Sequence, residues 1–173
     1  MNHRFGSVLL GTAALGLLLQ VSAHAASSPS SAGIGAHGYD FLIGTWTCKN
    51  GMPSAMAGPA TTTLTIASSV NGSLSFHVTG ANFGAMGYVV YDAKTKTWWN
   101  PSTGATGWYG TESTQQTGRK SVWAGPLTDP TTGKTTPQRD TFTWVSPTTY
   151  TDLYQMEMNG TWKTEGKTTC TKS

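Results

Sequence analysis

The sequence predicts an all-β domain, a single antiparallel meander β-barrel of about ten strands that closes on itself. Short strand-like segments separated by turn residues fill most of the chain, and no segment keeps helical spacing for more than two turns. The two cysteines, Cys48 and Cys170, lie in the first and the last of these segments. A disulfide between them would make the first and last strands neighbours, as a closed barrel requires. A two-layer sandwich is the main competing architecture.

The N-terminal residues 1–25 have the features of a secretory signal peptide. His3 and Arg4 give a basic start, an apolar run covers residues 8–19, and small residues precede the expected cleavage after Ala25. The apolar run is shorter than the roughly 20 residues that span a bilayer, and no second run follows it. We therefore expect an exported protein, periplasmic or secreted, with no stable membrane insertion.

Export leads to an oxidising compartment, where two thiols pair rather than bind metal. Closing a loop as long as the one between Cys48 and Cys170 is worth about 4–5 kcal/mol in the chain-entropy account. The sequence has no CxxC motif for a redox role, and no histidine pair near the cysteines for a zinc site. The pair is therefore expected to be structural.

Residues 26–38 are rich in Ser, Ala and Gly and are expected to form a flexible leader, so that the folded domain covers residues 39–173. The chain has 11 Lys and Arg against 8 Asp and Glu, and the basic residues are scattered. Scattered charge is typical of a solvated surface, and no nucleic-acid partner is expected.

The strands are expected in segments bounded by turn residues, with at most one helical turn before the first, at residues 39–42. Asn71-Gly72 and Asn159-Gly160 are favoured two-residue hairpin turns, because both positions tolerate positive φ. A long connection is expected at residues 127–137. The predicted strands cover residues 41–49, 61–67, 73–79, 86–91, 97–100, 107–113, 120–125, 139–145, 149–158 and 161–171.

The triplet Gly44-Thr45-Trp46 opens the first predicted strand. Glycine allows close approach of another backbone segment, and the indole of Trp46 can plug one end of a barrel. The triplet resembles the signature of the lipocalins and the wider calycin group. That resemblance implies a structural plug at Gly44 and Trp46 rather than a ligand contact.

Three segments resemble the bacterial family known as domain of unknown function 1579. They are residues 40–46 (DFLIGTW), residues 87–92 (GYVVYD), and residues 129–134 (DPTTGK) followed by Arg139. The resemblance implies an exported, lipocalin-like barrel of unestablished activity, and it supplies no catalytic residue. The two cysteines and the many tryptophans depart from the family pattern.

The aromatic residues are the best indication of a ligand. Alternation along a strand sends Trp98 and Trp99, and likewise Trp108 and Tyr109, to opposite faces. Core packing accounts for most inward rings, but a mostly apolar cavity with a few polar groups is also the usual form of a small-molecule site. The residues we expect at such a site are Tyr88, Trp108, Trp123, Trp144 and Tyr154, together with Arg139 and His77.

His77 and Arg139 each have two interpretations. If Leu74 and Phe76 face inward, His77 faces solvent; otherwise it is a candidate haem ligand. Arg139 stands near the expected barrel mouth, where it could bind a ligand carboxylate. It lies on the opposite face of its strand from the apolar Phe142, however, and this favours a surface position for Arg139.

No catalytic motif is present: the sequence lacks a GxSxG elbow, an HExxH pair and a glycine-rich phosphate loop. We therefore expect non-enzymatic binding of a small apolar or amphipathic molecule, with no metal and no obligatory cofactor. Two alternatives stay open. One is a carbohydrate- or surface-binding module that uses outward-facing Trp99 and Trp108, and the other is an enzyme that uses the barrel cavity. The oligomeric state stays undetermined.

Overall fold

A computed structural model describes residues 39–53, 58–116 and 118–173. The predicted signal peptide and leader lie outside the described residues. The ten strands among them are β1 (Gly44–Asn50), β2 (Thr61–Ser68), β3 (Leu74–Gly80), β4 (Phe83–Asp92), β5 (Thr97–Gly104), β6 (Tyr109–Thr114), β7 (Lys120–Thr128), β8 (Thr135–Ser146), β9 (Thr149–Met158) and β10 (Thr161–Lys172). No helix in this part of the chain is long and apolar enough to cross a bilayer.

The strands form one closed antiparallel barrel in which each pairs with its neighbours in sequence, and β1 pairs with β10. At this seam Cys48 stands directly opposite Cys170. The two residues form a disulfide with a Cα–Cα distance of 4.0 Å. The predicted barrel, its strand number and its disulfide are thus confirmed, and a two-layer sandwich is excluded.

The strands differ from the predicted segments mainly in length. The predicted long connection at residues 127–137 is a shorter turn, because Leu127 pairs with Thr136 and Pro126 faces Pro137 across the ladder. Strand pairing therefore includes Pro126 and continues through Pro137, which lies in the segment predicted as a connection. The Asn159-Gly160 turn is the expected two-residue hairpin, with φ of 53° and 74°.

One end of the barrel is closed by the segment that leads into β1. A 3-10 turn, Asp40–Leu42, precedes the strand, and the indole Nε1 of the fully buried Trp46 donates a hydrogen bond to the carbonyl oxygen of Leu42 at 2.8 Å. Lys172 Nζ lies 5.4 Å from the centre of the Trp46 ring and donates to the carbonyl oxygen of Phe41 at 3.0 Å. The lysine thus connects the end of β10 to this closure.

Gly44 makes the closure possible. Its φ of 138° is in a region that side chains disfavour, and a Cβ atom there would lie 2.7 Å from Lys172 Cε. Glycine therefore allows the chain to enter β1 while Lys172 lies across Trp46.

The packed core lies at this closed end. Tyr39 makes edge-to-face contacts with Trp98 and Trp123, with ring centres 4.9 Å and 5.7 Å away. Trp46 packs edge-on against Tyr150 at 5.2 Å. These rings form the floor beneath the barrel interior.

Candidate functional site

The barrel interior above this floor is hollow, with a cavity of about 280 Å³. Small-molecule sites occupy about 300–1,000 Å³, and an apolar cavity of about 150 Å³ binds benzene. The space thus suits a small guest of one or two rings.

One side of the cavity is apolar. Strand alternation turns every second residue of β2, β3 and β4 inward, and most of these positions carry aliphatic or aromatic side chains. The apolar wall consists of Leu64, Ile66, Leu74, Phe76, Val78, Ala85 and Val89.

The opposite side is polar, although the same alternation builds it. The inward positions of β5, β6, β8 and β9 carry amides, carboxyl groups and a phenol between aromatic rings. The polar wall consists of Asn100, Glu112, Gln138, Asp140, Asp152 and Tyr154. The cavity is therefore amphipathic, with its two chemical characters on different strands.

Three carboxyl groups of the polar wall form one cluster. Asp140 pairs in register with Tyr154, and Asp152 pairs with Phe142, so the two aspartates are diagonal neighbours across β8 and β9. Glu112 on β6 is hydrogen-bonded to Asp140, and Asp140 is also hydrogen-bonded to Asp152. Asp140 is thus the central member of the carboxyl cluster Glu112–Asp140–Asp152.

Burial shifts the pKa of every member upward. Desolvation raises the pKa of Asp140 to about 6, against the lowering effect of hydrogen bonds from Glu112 and Asp152. Desolvation and the nearby Asp140 raise the pKa of Glu112 well above its usual range, and the same two causes act on Asp152. Asp140 therefore ionises first, and the protonated flanking acids donate hydrogen bonds to its carboxylate.

Several polar atoms of the cavity lining have no partner in the part of the chain that the structure describes. Three buried oxygens, Asn100 Oδ1, Glu112 Oε1 and Asp152 Oδ1, accept no hydrogen bond from an amide or alcohol group of the described residues. Among the same residues, the buried Trp144 Nε1 finds no acceptor. Glu112 is only 3% exposed, so bulk water does not compensate it. A buried polar atom without a partner costs about 1–3 kcal/mol, and a guest that donates hydrogen bonds would recover that cost.

Two tyrosines of the cavity, Tyr150 and Tyr154, carry neutral phenols. Tyr154 donates its hydroxyl hydrogen to Gln138 Oε1 at 3.1 Å. Burial first, and then the nearby carboxyl groups, raise the pKa of Tyr154 and Tyr150 above the usual value. Neither phenol contributes a charge to the cavity at neutral pH.

Trp108 and Phe83 line the cavity from the end opposite Trp46. Trp108 folds over Gly104, where a Cβ atom would overlap the indole ring. The bare glycine therefore gives Trp108 the space to turn inward at the mouth.

Four of the seven residues predicted for a ligand site line the cavity, namely Trp108, Trp123, Trp144 and Tyr154. The other three lie on the outer surface. Tyr88 is 52% exposed and shares the outward face of β4 with exposed Met86 and Val90, and His77 is exposed on the outward face of β3. Alternation explains both positions, since the inward residues of these strands are their neighbours Phe76, Val78 and Val89.

Arg139 also faces outward. Its Nε donates to Gln155 Oε1 at 2.8 Å, and its guanidinium carbon lies 4.2 Å from the centre of the Trp162 ring. Arg139 therefore does not reach a carboxylate inside the barrel.

The alternation of the tryptophan pairs has a consequence for the surface-module alternative. Trp98 is 1% exposed and Trp99 42% exposed, as expected. Trp108, however, turns into the cavity and Tyr109 faces solvent. The stacking platform that needed Trp99 and Trp108 on one outer face is therefore absent.

Sequence reasoning missed the carboxyl cluster. Asp140 has the same parity as Phe142 and Trp144, which line the cavity, and this signal places it inside the barrel. The contacts of Asp140 with Asp152 and Glu112 depend on the register of strands β6, β8 and β9, which a single sequence does not reveal.

Among the described residues, no group of three or more His, Cys, Asp or Glu side chains is arranged to hold a metal ion. No family model and no curated protein matches the chain. The resemblance of residues 40–46, 87–92 and 129–134 to the domain of unknown function 1579 family stays a prediction.

Proposed function

We propose that this is an exported, non-enzymatic binding protein of the cell envelope that holds a small apolar or amphipathic molecule inside its barrel. The observation that carries the proposal is the hollow interior of about 280 Å³ with an apolar wall opposite a polar one. An apolar enclosure with a few convergent polar groups is the usual form of such a site.

Export is supported by the pairing of Cys48 with Cys170, since structural disulfides persist in oxidising compartments. Haem has less support than other guests, because the described lining of the cavity contains no histidine to bind its iron.

Tryptophan fluorescence tests the proposal, because Trp108, Trp123 and Trp144 line the cavity. The purified protein is titrated with a panel of short lipids, retinoids, small aromatic compounds and haem, and binding is measured as quenching. Trp108→Phe should reduce the quenching, whereas the matched surface variant Trp99→Phe should keep it. Silence of folded protein across the panel would exclude the proposal.

A cavity enzyme is the second candidate, and the carboxyl cluster favours it. A carboxyl group whose pKa is raised to about 6, as at Asp140, can both accept and donate protons near neutral pH. Mass spectrometry of the panel compounds after incubation would distinguish catalysis from binding. A product formed by the native protein and lost in Asp140→Asn would favour the enzyme.

A further inference from the structure

We propose, as an extension that rests on the binding function above, that the cavity selects a small apolar amine and holds its ammonium group against Asp140. Three features of the cavity support this: the sign of its charge, the kind of polar atoms that lack partners, and the position of its aromatic rings.

The cavity lining that the structure describes is acidic and contains no internal counter-charge. Its lining includes Glu112, Asp140 and Asp152, and no lysine, arginine or histidine among the described residues. Arg139, the basic residue next to Asp140, is on the outer face with Gln155 and Trp162. The attraction between a cation and Asp140 is strong inside the barrel, because the effective dielectric constant there is lower than in water.

The polar atoms without partners are mostly acceptors. Asn100 Oδ1, Glu112 Oε1 and Asp152 Oδ1 each lack an amide or hydroxyl donor among the described residues. An ammonium group has three N–H donors and no acceptor, so it can donate to Asp140 and to two of these oxygens at once. A carboxylate guest would add acceptors and negative charge, and an alcohol would supply a single donor.

Aromatic rings adjoin the carboxyl cluster. Phe142 stands opposite Asp152, and Tyr154 and Trp123 both stand opposite Asp140 in the strand register. All three line the cavity. Faces of such rings attract cations and pack against an apolar ring. The apolar wall on β2–β4 then accommodates the rest of the guest.

Calorimetry with three indoles of nearly the same size tests the selectivity. Tryptamine carries an ammonium group, tryptophol a hydroxyl group and indole-3-acetate a carboxylate. We expect tryptamine to bind about tenfold or more tightly than tryptophol, and indole-3-acetate most weakly.

The outcomes separate this inference from the proposed function. Equal or tighter binding of tryptophol or indole-3-acetate would overturn the amine selectivity and keep the cavity as a binding site. Absence of binding by all three indoles and by the fluorescence panel would overturn both.

Asp140→Asn removes the charge and keeps the shape of the side chain. It should weaken tryptamine about tenfold or more and leave tryptophol within about twofold. Glu157→Gln is the matched control, because it removes one carboxylate from β9 without touching the cavity lining. Equal losses in both variants would mean a general charge effect and would contradict the site. If Asp140→Asn does not fold, the pH dependence of tryptamine binding to the native protein gives the second measurement.

The pH dependence of tryptamine affinity tests the pairing with Asp140 on the native protein, without a substitution. The groups that face Asp140 are Glu112 from β6 and Asp152, Tyr150 and Tyr154 from β9. Because burial raises the pKa of Asp140 to about 6, tryptamine affinity should fall about tenfold between about pH 7.5 and about pH 5. Tryptophol affinity should stay flat. A flat tryptamine profile would contradict the pairing with Asp140.

Discussion

Arg139 and Asp140 are consecutive residues of β8 that lie on opposite sides of the barrel wall. Arg139 is outside, where its guanidinium group lies over Trp162. Asp140 is inside, hydrogen-bonded to Glu112 and Asp152. Two opposite charges that are adjacent in sequence therefore do not neutralise each other, and the interior keeps its acidic character.

Removal of the disulfide should loosen the seam between β1 and β10. We expect the double variant Cys48→Ser, Cys170→Ser to lose about 4–5 kcal/mol of unfolding free energy, because the bridge closes a long loop in the unfolded chain. Urea denaturation with and without reductant measures the loss. The native protein should respond to reductant and the double variant should not, and equal midpoints for the two proteins would contradict a stabilising role.

Stability should fall as pH rises from about 4 to about 7. Burial raises the pKa of Asp140 from the model-peptide value of 3.8 to about 6, so the folded state binds this proton more tightly than the unfolded state does. The contribution is complete below about pH 4 and is lost as pH passes about 6, on the order of 3 kcal/mol. Glu112 and Asp152 act in the same direction.

Asp140→Asn is the control for that profile. The amide removes the buried charge, so the variant should flatten the decline and equal or exceed the native stability near neutral pH. Urea denaturation at several pH values between about 4.5 and about 7.5 makes the comparison. An unchanged slope in the variant would assign the pH dependence to other groups.

Gly104→Ala should open the cavity mouth by displacing Trp108, since the new methyl group would overlap the indole ring. We expect weaker binding of tryptophol in calorimetry, comparable to the effect of Trp108→Ala. Gly133→Ala is the control, because its Cβ atom would meet none of the described residues within 4 Å. With φ at 67°, the only cost of this substitution is backbone strain. Equal affinities of Gly104→Ala and native protein would contradict a role for Trp108 at the mouth.

Arg139→Ala should leave ligand binding unchanged, because the side chain lies on the outer surface. Its contact with Trp162 is a half-buried cation–π pair on the outer face, worth about 0.5–2 kcal/mol. A double-mutant cycle with Trp162→Ala in urea measures this coupling. Lower affinity for any cavity guest in Arg139→Ala would show that the residue reaches the interior.

The sequence predicts the barrel well because its signals are local or covalent. Asn159-Gly160 specifies a hairpin by backbone conformation, alternation separates Trp98 from Trp99, and the cysteines imply the closing strand pair. The site is less predictable. The inward positions of Trp123 and Trp144 follow from alternation along their strands. The contact of Glu112 with Asp140, however, requires the relative register of two strands that are not adjacent in the sheet.

The two chemically different walls have a consequence for how a guest is oriented. A molecule between Asp140 on one side and Phe76 on the other cannot rotate freely about the barrel axis, because a half-turn would place its apolar body on the carboxyl groups and its polar end on hydrocarbon. The closed floor at Trp46 and the mouth at Trp108 limit how the molecule can lie along the barrel axis. The barrel therefore discriminates by the relative placement of polar and apolar groups within a molecule, and positional isomers of one compound should differ in affinity.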